Sequence, residues 1–262
     1  MTNPIYQHFQ PSEREFIDRV SDWARQVEDK QLLYCSYFLN PREQEILQMI
    51  ANSFSLKYFK FPEDTEYAKL ILAPGYYEIS EEDFDVSLIE ISYSSKFGSL
   101  EHRQILGAFI HETGLERREI GDILISENRV QIYVSQHLFS YFKESIRKIG
   151  KMSVELNEVP FSEKIAVEDE NESSVILVNS LRLDRIIASS LVISRNLAAN
   201  MIQSGHVRVN YSENTKNDSF IKIGDLISIR GFGRIKILKE LGLTKKDKIK
   251  VEIEKIISRK GR

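Results

Sequence analysis

Four arginines lie between residues 182 and 208 of the chain, namely Arg182, Arg185, Arg195 and Arg208. The guanidinium group is a planar fork of N–H donors that binds phosphate oxygens in pairs. Neutral hydrogen-bonding side chains accompany the arginines: Ser194, Asn196, His206 and Asn210. These residue types predict a surface that holds the phosphates of a nucleic acid, with the neutral groups adding further hydrogen bonds.

The charge of the chain is divided unevenly along its length. Its 262 residues have a net charge of −3, with 36 Lys or Arg and 39 Asp or Glu. Residues 181–262 contain 18 basic and 8 acidic residues, a net charge of +10. Residues 1–180 contain 18 basic and 31 acidic residues, a net charge of −13. A basic region attracts polyanions, and nucleic acid is the commonest of them. Charge alone leaves open the alternative that the basic region packs against the acidic one.

Composition excludes several classes of protein. With 42% hydrophobic and 29% charged residues, the chain fits neither a disordered nor a fibrous protein. Its single cysteine excludes an internal disulfide and a multi-thiolate zinc site, and it predicts a reducing compartment. Residues 1–6 have no basic segment followed by an apolar one, and no run of about 18 apolar residues occurs. We therefore expect a cytoplasmic protein that is neither secreted nor anchored in a membrane.

Groups that could act as nucleophiles or metal ligands have no supporting pattern. Cys35 has apolar and aromatic neighbours, which favours a buried thiol over a nucleophile. His111-Glu112 lacks the second histidine that a zinc-protease helix requires four residues later. Gly231 and Gly233 precede a basic segment and not a helix, which argues against a nucleotide-binding loop. A tight turn is favoured over a close approach of the backbone to RNA. We expect no metal, no cofactor and no small-molecule substrate.

The arginines need a rigid platform, and residues 181–210 predict a helix hairpin followed by a strand. Apolar residues recur at helical spacing in two stripes: Leu183, Ile186, Ile187 and Leu191, then Leu197, Ala198, Met201 and Ile202. Ser194 is placed to cap the second helix, and Gly205 to end it in the left-handed conformation. Val207 and Val209 then alternate with Arg208, as in a strand.

Two parts precede this segment. Residues 1–80 predict a small α/β unit, with helices over 13–30 and from Pro41 and a strand over 56–61. Residues 81–175 predict strand, helix, strand, strand, helix and strand over 86–93, 101–112, 122–126, 130–135, 138–149 and 152–159, with a hairpin turn at 127–129. This order is the ferredoxin-like split βαβ motif, which RNA-recognition modules share. Their aromatic signature is reduced here to Arg129 and Tyr133 on the third strand, so it indicates RNA binding only weakly.

The segment from 181 resembles the RNA-binding domain named after small-subunit ribosomal protein four, the S-four domain. The pattern of that domain is Arg-Leu-Asp, Ser-Arg about ten residues later, and Gly-x-Val-x-Val-Asn. These elements stand here at 182–184, 194–195 and 205–210, and a Gly-Asp turn follows at 224–225 before a closing strand. Tyr211 stands where the pattern usually has glycine.

Further matches narrow the resemblance to the YlmH family of bacterial S-four proteins, over essentially the whole chain. They lie at 100–108, 120–123 and 227–234, with Gln104 where the family pattern has Asp. The resemblance implies a cytoplasmic, non-enzymatic RNA-binding protein, encoded near cell-division genes in Gram-positive bacteria. It also implies a link to the large ribosomal subunit and to ribosome-associated quality control of obstructed peptidyl-tRNA.

The alternative is an RNA-modifying enzyme of the pseudouridine synthase or methyltransferase type that uses the S-four-like domain to bind its substrate. Arg182-Leu183-Asp184 is similar to the triplet around the catalytic Asp of pseudouridine synthases. In those enzymes the triplet lies in a separate catalytic domain, whereas here it opens the S-four helix. We therefore expect Asp184 to pair with a nearby arginine or to cap the helix.

The sequence thus predicts an α+β protein of three parts: a small α/β domain over 1–80, a ferredoxin-like, RRM-like domain over 81–175, and an S-four-like domain with a helix hairpin and a β-sheet over 180–262. The resemblance to the YlmH family implies rRNA, tRNA and the large ribosomal subunit as partners, and no catalytic residue is expected. The expected RNA-binding residues are Arg182, Arg185, Ser194, Arg195, Asn196, His206, Arg208, Asn210, Arg230, Arg234 and Lys236. His102 and Arg103, at the start of a helix, are candidates for a secondary RNA contact, with a structural role as the alternative.

Overall fold

The computed structural model describes residues 11–126, 129–166 and 172–256. The contacts between residues in space divide the chain into two compact units, residues 1–168 and 169–262. The first unit combines most of the two predicted parts 1–80 and 81–175. Residues 1–6 lie outside the described residues, as do residues 127 and 128 of the predicted hairpin turn. None of the described helices is long and apolar enough to cross a membrane.

The N-terminal part of the first unit packs two helices against a small sheet. Helix α1 (Arg14–Lys30) and helix α2 (Pro41–Ser53) cover strands β1 (Tyr34–Cys35), β2 (Lys57–Phe61) and β3 (Lys69–Ala73), in the antiparallel order β1-β3-β2. Asn40 caps α2 by accepting a hydrogen bond from the Glu43 amide, and the Glu43 carboxylate accepts one from the Asn40 amide in return. The predicted helices and strand are confirmed here within one or two residues.

The middle part of the first unit has the predicted order of elements. These are β4 (Val86–Tyr93), α3 (His102–His111), β5 (Ile120–Ser126), β6 (Arg129–Ser135), α4 (Phe139–Ser145), β7 (Lys148–Ile149) and β8 (Met152–Val159). The sheet is antiparallel with order β5-β6-β4-β8-β7, so the four long strands have the ferredoxin-like arrangement. Helix α4 is shorter than the predicted 138–149. The chain leaves the helix at Ile146 because Ile149 pairs with Met152 across a left-handed turn at Gly150.

Both faces of this middle sheet are buried. One face packs against α3 and α4 through Ile89, Ile132 and their neighbours. The opposite face, with Leu88 and Tyr133, packs against Phe38 of the N-terminal part. At Gly121 the approach is so close that a Cβ would lie 2.7 Å from the Phe38 ring. The N-terminal part therefore covers the sheet face that the helices leave open, and one apolar core crosses the predicted boundary at residue 80.

The Asp122 carboxylate gives a second link between these two parts. It accepts hydrogen bonds from the backbone amides of Glu66 and Tyr67, at 2.7 and 2.9 Å. Burial raises the pKa of this carboxyl, although the two amide donors oppose the shift. A carboxylate bound in this way ties the start of β5 to the loop before β3.

The second unit is a six-stranded sheet with two helices. Its elements are β9 (Glu172–Val178), α5 (Leu183–Leu191), α6 (Arg195–Gln203), β10 (Val207–Val209), β11 (Ser212–Glu213), β12 (Leu226–Ile229), β13 (Gly233–Leu243) and β14 (Ile249–Ile256). The order of strands is β11-β10-β12-β13-β14-β9, and every pair is antiparallel. Both helices pack on one face of the sheet, around Ile186, Ile202 and Ile253.

Strand β9 shifts the predicted boundary between the middle and C-terminal parts. Its residues pair with β14 over the whole strand, from Glu172 opposite Lys255 to Val178 opposite Ile249. The strand therefore belongs to the second unit, although the predicted ranges 81–175 and 180–262 cut through it. Residues 167–171, which precede β9, lie outside the described residues.

Candidate nucleic-acid interface

A buried carboxylate organises two of the predicted arginines. Asp184, in the first turn of α5, is 2% exposed. Arg195 Nε donates to its Oδ2 at 2.8 Å, and Arg182 donates from Nε to Oδ1 at 3.2 Å and from Nη2 to Oδ2 at 3.1 Å. Burial of the carboxyl opposes its ionisation, but the hydrogen bonds from the two arginines outweigh this effect and hold its pKa below the usual value. Asp184 thus has the predicted structural role, pairing with arginines.

The ends of the helices explain why these arginines occupy fixed positions. Arg182 is the N-cap residue of α5, and its backbone forms a bridge with Phe220. Ser194 caps α6 by accepting a hydrogen bond from the Leu197 amide at 3.2 Å, as predicted. Arg195 is therefore the first residue of α6, with its side chain 53% exposed although it is paired. One side of its guanidinium binds Asp184, and the other is open to solvent.

The predicted basic residues beyond the helix hairpin lie on the sheet. Val207 and Ile235 point into the core, so the alternation of β-strands places Arg208 and Arg234 on the outer face. Ser228 of β12 lies between them, opposite Arg208 on one side and opposite Arg234 on the other. Lys236 follows on the same face of β13, opposite Leu226. Within the described residues, no hydrogen bond or ion pair connects Arg208 to the Asp184 cluster.

Other predicted residues lie at the ends of these elements. Asn196 is exposed in the first turn of α6, and Arg185 is half-buried in α5 with its Nε buried and without a hydrogen-bond partner among the described residues. Gly205 ends α6 in the left-handed conformation, with the Gly205 amide donating to Ile202 and the His206 amide to Met201. The Arg230 amide donates to the His206 carbonyl at 2.9 Å, which brings these two exposed residues together.

Asn210 has a structural role that the sequence did not predict. Its side-chain Nδ2 donates to Asp225 Oδ1 at 2.8 Å, and its Oδ1 accepts from the Leu226 amide at 2.9 Å. Both polar atoms of the side chain therefore fasten the turn after β10 to β12. Asn210 and Tyr211 have φ angles of 48° and 68°, as a tight turn between β10 and β11 requires. Tyr211 adopts this left-handed conformation where the S-four pattern usually has glycine.

Tyr133 and Arg129, the weak RNA-recognition signature of the third strand in the middle part, both make contacts within the protein. Tyr133 is 1% exposed, beneath the N-terminal part. Arg129 makes two hydrogen bonds to the Glu90 carboxylate, at 2.8 and 3.0 Å. Base stacking on the open face of a sheet needs an exposed aromatic ring, so this mode of binding does not apply here.

The remaining candidates show no arrangement of the kind that catalysis uses. Burial raises the pKa of the Cys35 thiol to about 11, which makes it a poor nucleophile at neutral pH. Gly231 and Gly233 have φ angles of 84° and 108° in the turn between β12 and β13, as the prediction of a plain turn requires. No group of His, Cys, Asp and Glu within the described residues could hold a metal ion. His102 and Arg103 are exposed in the first turn of α3.

Comparison with known proteins decides the family. Residues 80–163 match a family model described as "Putative RNA-binding domain in YlmH", and residues 181–227 match the S4 domain. A Bacillus subtilis (strain 168) protein named "Ribosome-associated protein quality control protein P2" is 35% identical over 253 residues, which are 96% of this chain and 98% of that protein. The chain belongs to the YlmH family. A solved structure, "Cell division protein ylmH from Streptococcus pneumoniae", covers 62% of this chain and 99% of its own at 39% identity, with a TM-score of 0.55.

Membership of the YlmH family confirms the predicted α+β fold with a C-terminal S-four domain. The matched S4 range contains the Asp184 cluster and every predicted residue from Arg182 to Asn210. Arg230, Arg234 and Lys236 follow the last matched residue, so they extend the candidate surface beyond the common S4 core. The YlmH-specific match begins at residue 80, next to the predicted start of the middle part.

Proposed function

We propose that this YlmH-family protein binds structured RNA of the ribosome, without catalysing a reaction, through the S4 domain in its basic second unit. The observation that carries the proposal is the cluster in which Asp184 holds Arg182 and Arg195 at the ends of two helices. Prepositioned guanidinium groups lose little conformational freedom when they bind phosphate. Arg208 on β10 supplies a further exposed cation without an ion-pair partner in the described chain.

The cellular role follows from the family. The Bacillus subtilis relative is named for ribosome-associated protein quality control, and its similarity extends over nearly all of both chains. We propose the same role here: binding of rRNA and tRNA on the large ribosomal subunit, in the cytoplasm, where a stalled peptidyl-tRNA remains. Two neighbouring features support RNA as the partner, namely the net charge of +10 over residues 181–262 and the S4 match within that range.

A binding experiment with matched charge changes tests the S4 surface. The double variant Arg195→Ala/Arg208→Ala is compared with Lys245→Ala/Lys248→Ala, which removes two exposed lysines from the same unit. Binding to purified large ribosomal subunits is measured over a series of salt concentrations. The arginine variant is expected to bind more weakly. The slope of the logarithm of its binding constant against the logarithm of the salt concentration should be shallower by about one for each lost phosphate contact. The lysine variant is expected to differ little from the wild type.

Arg208→Ala alone provides a variant that leaves the Asp184 cluster intact, so weaker binding by this protein does not arise from a disturbed helix hairpin. Equal affinities and slopes for all folded variants would contradict the proposed site. Crosslinking in cells, followed by sequencing of the bound RNA, tests the partner, and ribosomal or tRNA peaks are expected. A modified nucleotide that disappears when the gene is deleted would instead indicate an RNA-modifying enzyme.

A further inference from the structure

The middle domain of this protein has a ferredoxin-like sheet whose face away from the helices is buried. In RNA-recognition modules of this fold, bases stack on aromatic rings on the sheet face away from the helices. That face is filled here by the N-terminal part, and Tyr133 is packed among Phe38, Ile71 and Phe84 in the shared core. Any contact between this domain and RNA must therefore use another surface.

Five cations are exposed at the opposite side of the domain, around the start of α3 and the β7–β8 hairpin. They are Lys96, Arg103, Arg147, Lys148 and Lys151, and we call them the second basic surface. None of the five has an ion-pair partner within the described part of the chain, whereas Arg129, Arg118 and Lys69 of the same unit are all paired. Unpaired cations on a common edge repel one another, and a bound anion removes that repulsion.

Packing holds the segments that carry these cations together. The side-chain Nε2 of Gln104, in the first turn of α3, lies 3.8 Å from the position that a Cβ would occupy on Gly150 in the β7–β8 turn. A Cβ on Gly98 would lie 3.3 Å from Met152 Cε at the start of β8. Leu100, Ile105 and Ile149 are buried in one apolar core beneath them. The cations are therefore on adjacent segments of one rigid edge, although they are far apart in sequence.

The charge of this edge contrasts with that of the surrounding unit. Segments 94–104 and 143–153 contain six Lys or Arg and two Asp or Glu, whereas residues 1–180 as a whole have a net charge of −13. At the start of α3 the Gln104 side chain accepts a hydrogen bond from the Glu101 amide, as in a capping box. This surface is defined by its cations and not by the N-terminus of the helix. Several separate cations without an enclosing pocket suit a chain of phosphates better than one small anion.

We propose that the second basic surface binds the phosphate backbone of RNA, so that each unit of the protein has a phosphate-binding surface of its own. The proposal rests on the proposed function, since it takes ribosomal RNA as the ligand. It also gives His102 and Arg103 a place in a larger surface and explains how a domain with a closed sheet binds RNA. The covered sheet face directs the RNA to the helical edge of the domain.

The test compares Lys148→Ala/Lys151→Ala with Lys30→Ala/Lys57→Ala in the full-length protein. Both variants lose two exposed lysines from the first unit, and none of the four lysines has an ion-pair partner in the described chain. Binding to purified large ribosomal subunits is measured from low to moderate salt. We expect Lys148→Ala/Lys151→Ala to bind more weakly, with a slope of log binding constant against log salt concentration that is shallower by about two. Lys30→Ala/Lys57→Ala is expected to match the wild type. Lys148→Arg/Lys151→Arg is expected to bind as the wild type does, because the charges remain.

Crosslinking of the same complexes by ultraviolet light, followed by mass spectrometry, is expected to find RNA attached to peptides that contain residues 147–153. If Arg195→Ala/Arg208→Ala weakens binding while Lys148→Ala/Lys151→Ala behaves as its control, the second surface is wrong and the proposed function stands. If neither variant changes binding, the proposed function itself is wrong. Crosslinks from residues 147–153 to a ribosomal protein, with an unchanged salt slope, would overturn the second surface in favour of a protein contact.

Discussion

The sheets of the two units are both antiparallel and both carry two helices on one face, but they differ in what covers the other face. In the first unit the N-terminal part buries that face, and Tyr133 is 1% exposed. In the second unit Val175 and Leu177 of β9, on the outer face, are 52% and 48% exposed. Arg208 is exposed on the same face, on β10 toward the other edge of the sheet. Similar layers of helix and sheet thus offer different surfaces to a ligand. In the proposed mode of binding, the first unit offers an edge to RNA, whereas the second unit offers both a helix hairpin and a sheet face.

The largest expected effect comes from removing a side chain from the closed face. Tyr133→Ala should lower the free energy of unfolding of the first unit by about 4 kcal/mol, because it leaves a cavity in the shared core. Leu177→Ala, on the open face of the second unit, should cost less than about 1 kcal/mol, since half of that side chain is already exposed. Denaturant unfolding of each variant measures both values. Similar costs at the two positions would contradict the contrast between a closed and an open face.

A second change tests the close approach of the N-terminal part to the middle sheet. Gly121→Val should cost about 3 kcal/mol, because even its Cβ would lie 2.7 Å from the Phe38 ring and 2.8 Å from the Tyr133 Cβ. Gly75→Ala serves as the control, since a Cβ at Gly75 meets no atom within 4 Å. Chemical denaturation should show a loss for the first variant and almost none for the second. A stable Gly121→Val protein would mean that the two layers are not packed as described.

The third prediction concerns the Asp184 cluster of the second unit. Asp184→Asn should lower the free energy of unfolding by about 2 kcal/mol at pH 7, because the charge-assisted hydrogen bonds to Arg182 and Arg195 are weakened. The folded state lowers the pKa of Asp184, so its contribution is fully present above the pKa of the unfolded chain, near 4. The contribution is lost as the pH falls through the folded pKa. The difference in melting temperature between wild type and variant should therefore shrink from pH 7 to pH 3, and a difference that does not change with pH would refute this account.

The smallest effect is expected for Arg129 of the closed sheet. Arg129→Ala should leave the free energy of unfolding almost unchanged, because its ion pair with Glu90 is partly exposed and screened by solvent. RNA binding by this variant should equal that of the wild type, whereas Arg208→Ala on the open sheet should weaken it. The measurement is binding to purified large ribosomal subunits at one low salt concentration. A clear loss with Arg129→Ala would show that RNA reaches the middle sheet after all.

Part of this architecture could be predicted because it depends on local pattern. The strand over 86–93 and the helix hairpin after residue 181 are confirmed. Both could be predicted because the spacing of apolar residues within the segment indicates the type of element. Ser194 and Gly205 also take their predicted positions, because the capping of a helix involves groups only a few residues apart. The YlmH resemblance, which short motifs indicated, is confirmed as well, since the Bacillus subtilis relative is similar over nearly the whole chain.

Other features depend on contacts between distant segments and were wrong or missing. The boundary at 175–180 was misplaced because β9 pairs with β14, more than 70 residues later along the chain. Asn210 is predicted to bind RNA, but the sequence did not indicate its hydrogen bonds to the Asp225 carboxylate and from the Leu226 amide. The second basic surface was seen only at His102 and Arg103. A signal for the rest was present in the lysines and arginine of 143–151, but nothing local connects them to α3.

The sequence by itself determined the family, the order of the elements, the unequal charge of the two units and the arginines that accompany Asp184. These follow from residue types and from spacings of a few positions, which act through local hydrogen bonds and periodic burial. Only the tertiary structure decided that the N-terminal part closes the middle sheet and that five cations meet at the edge of α3 and β7. The reason is that the burial of a sheet face depends on the shape of a distant partner, and the sequence of a strand does not show which distant segment covers each of its faces.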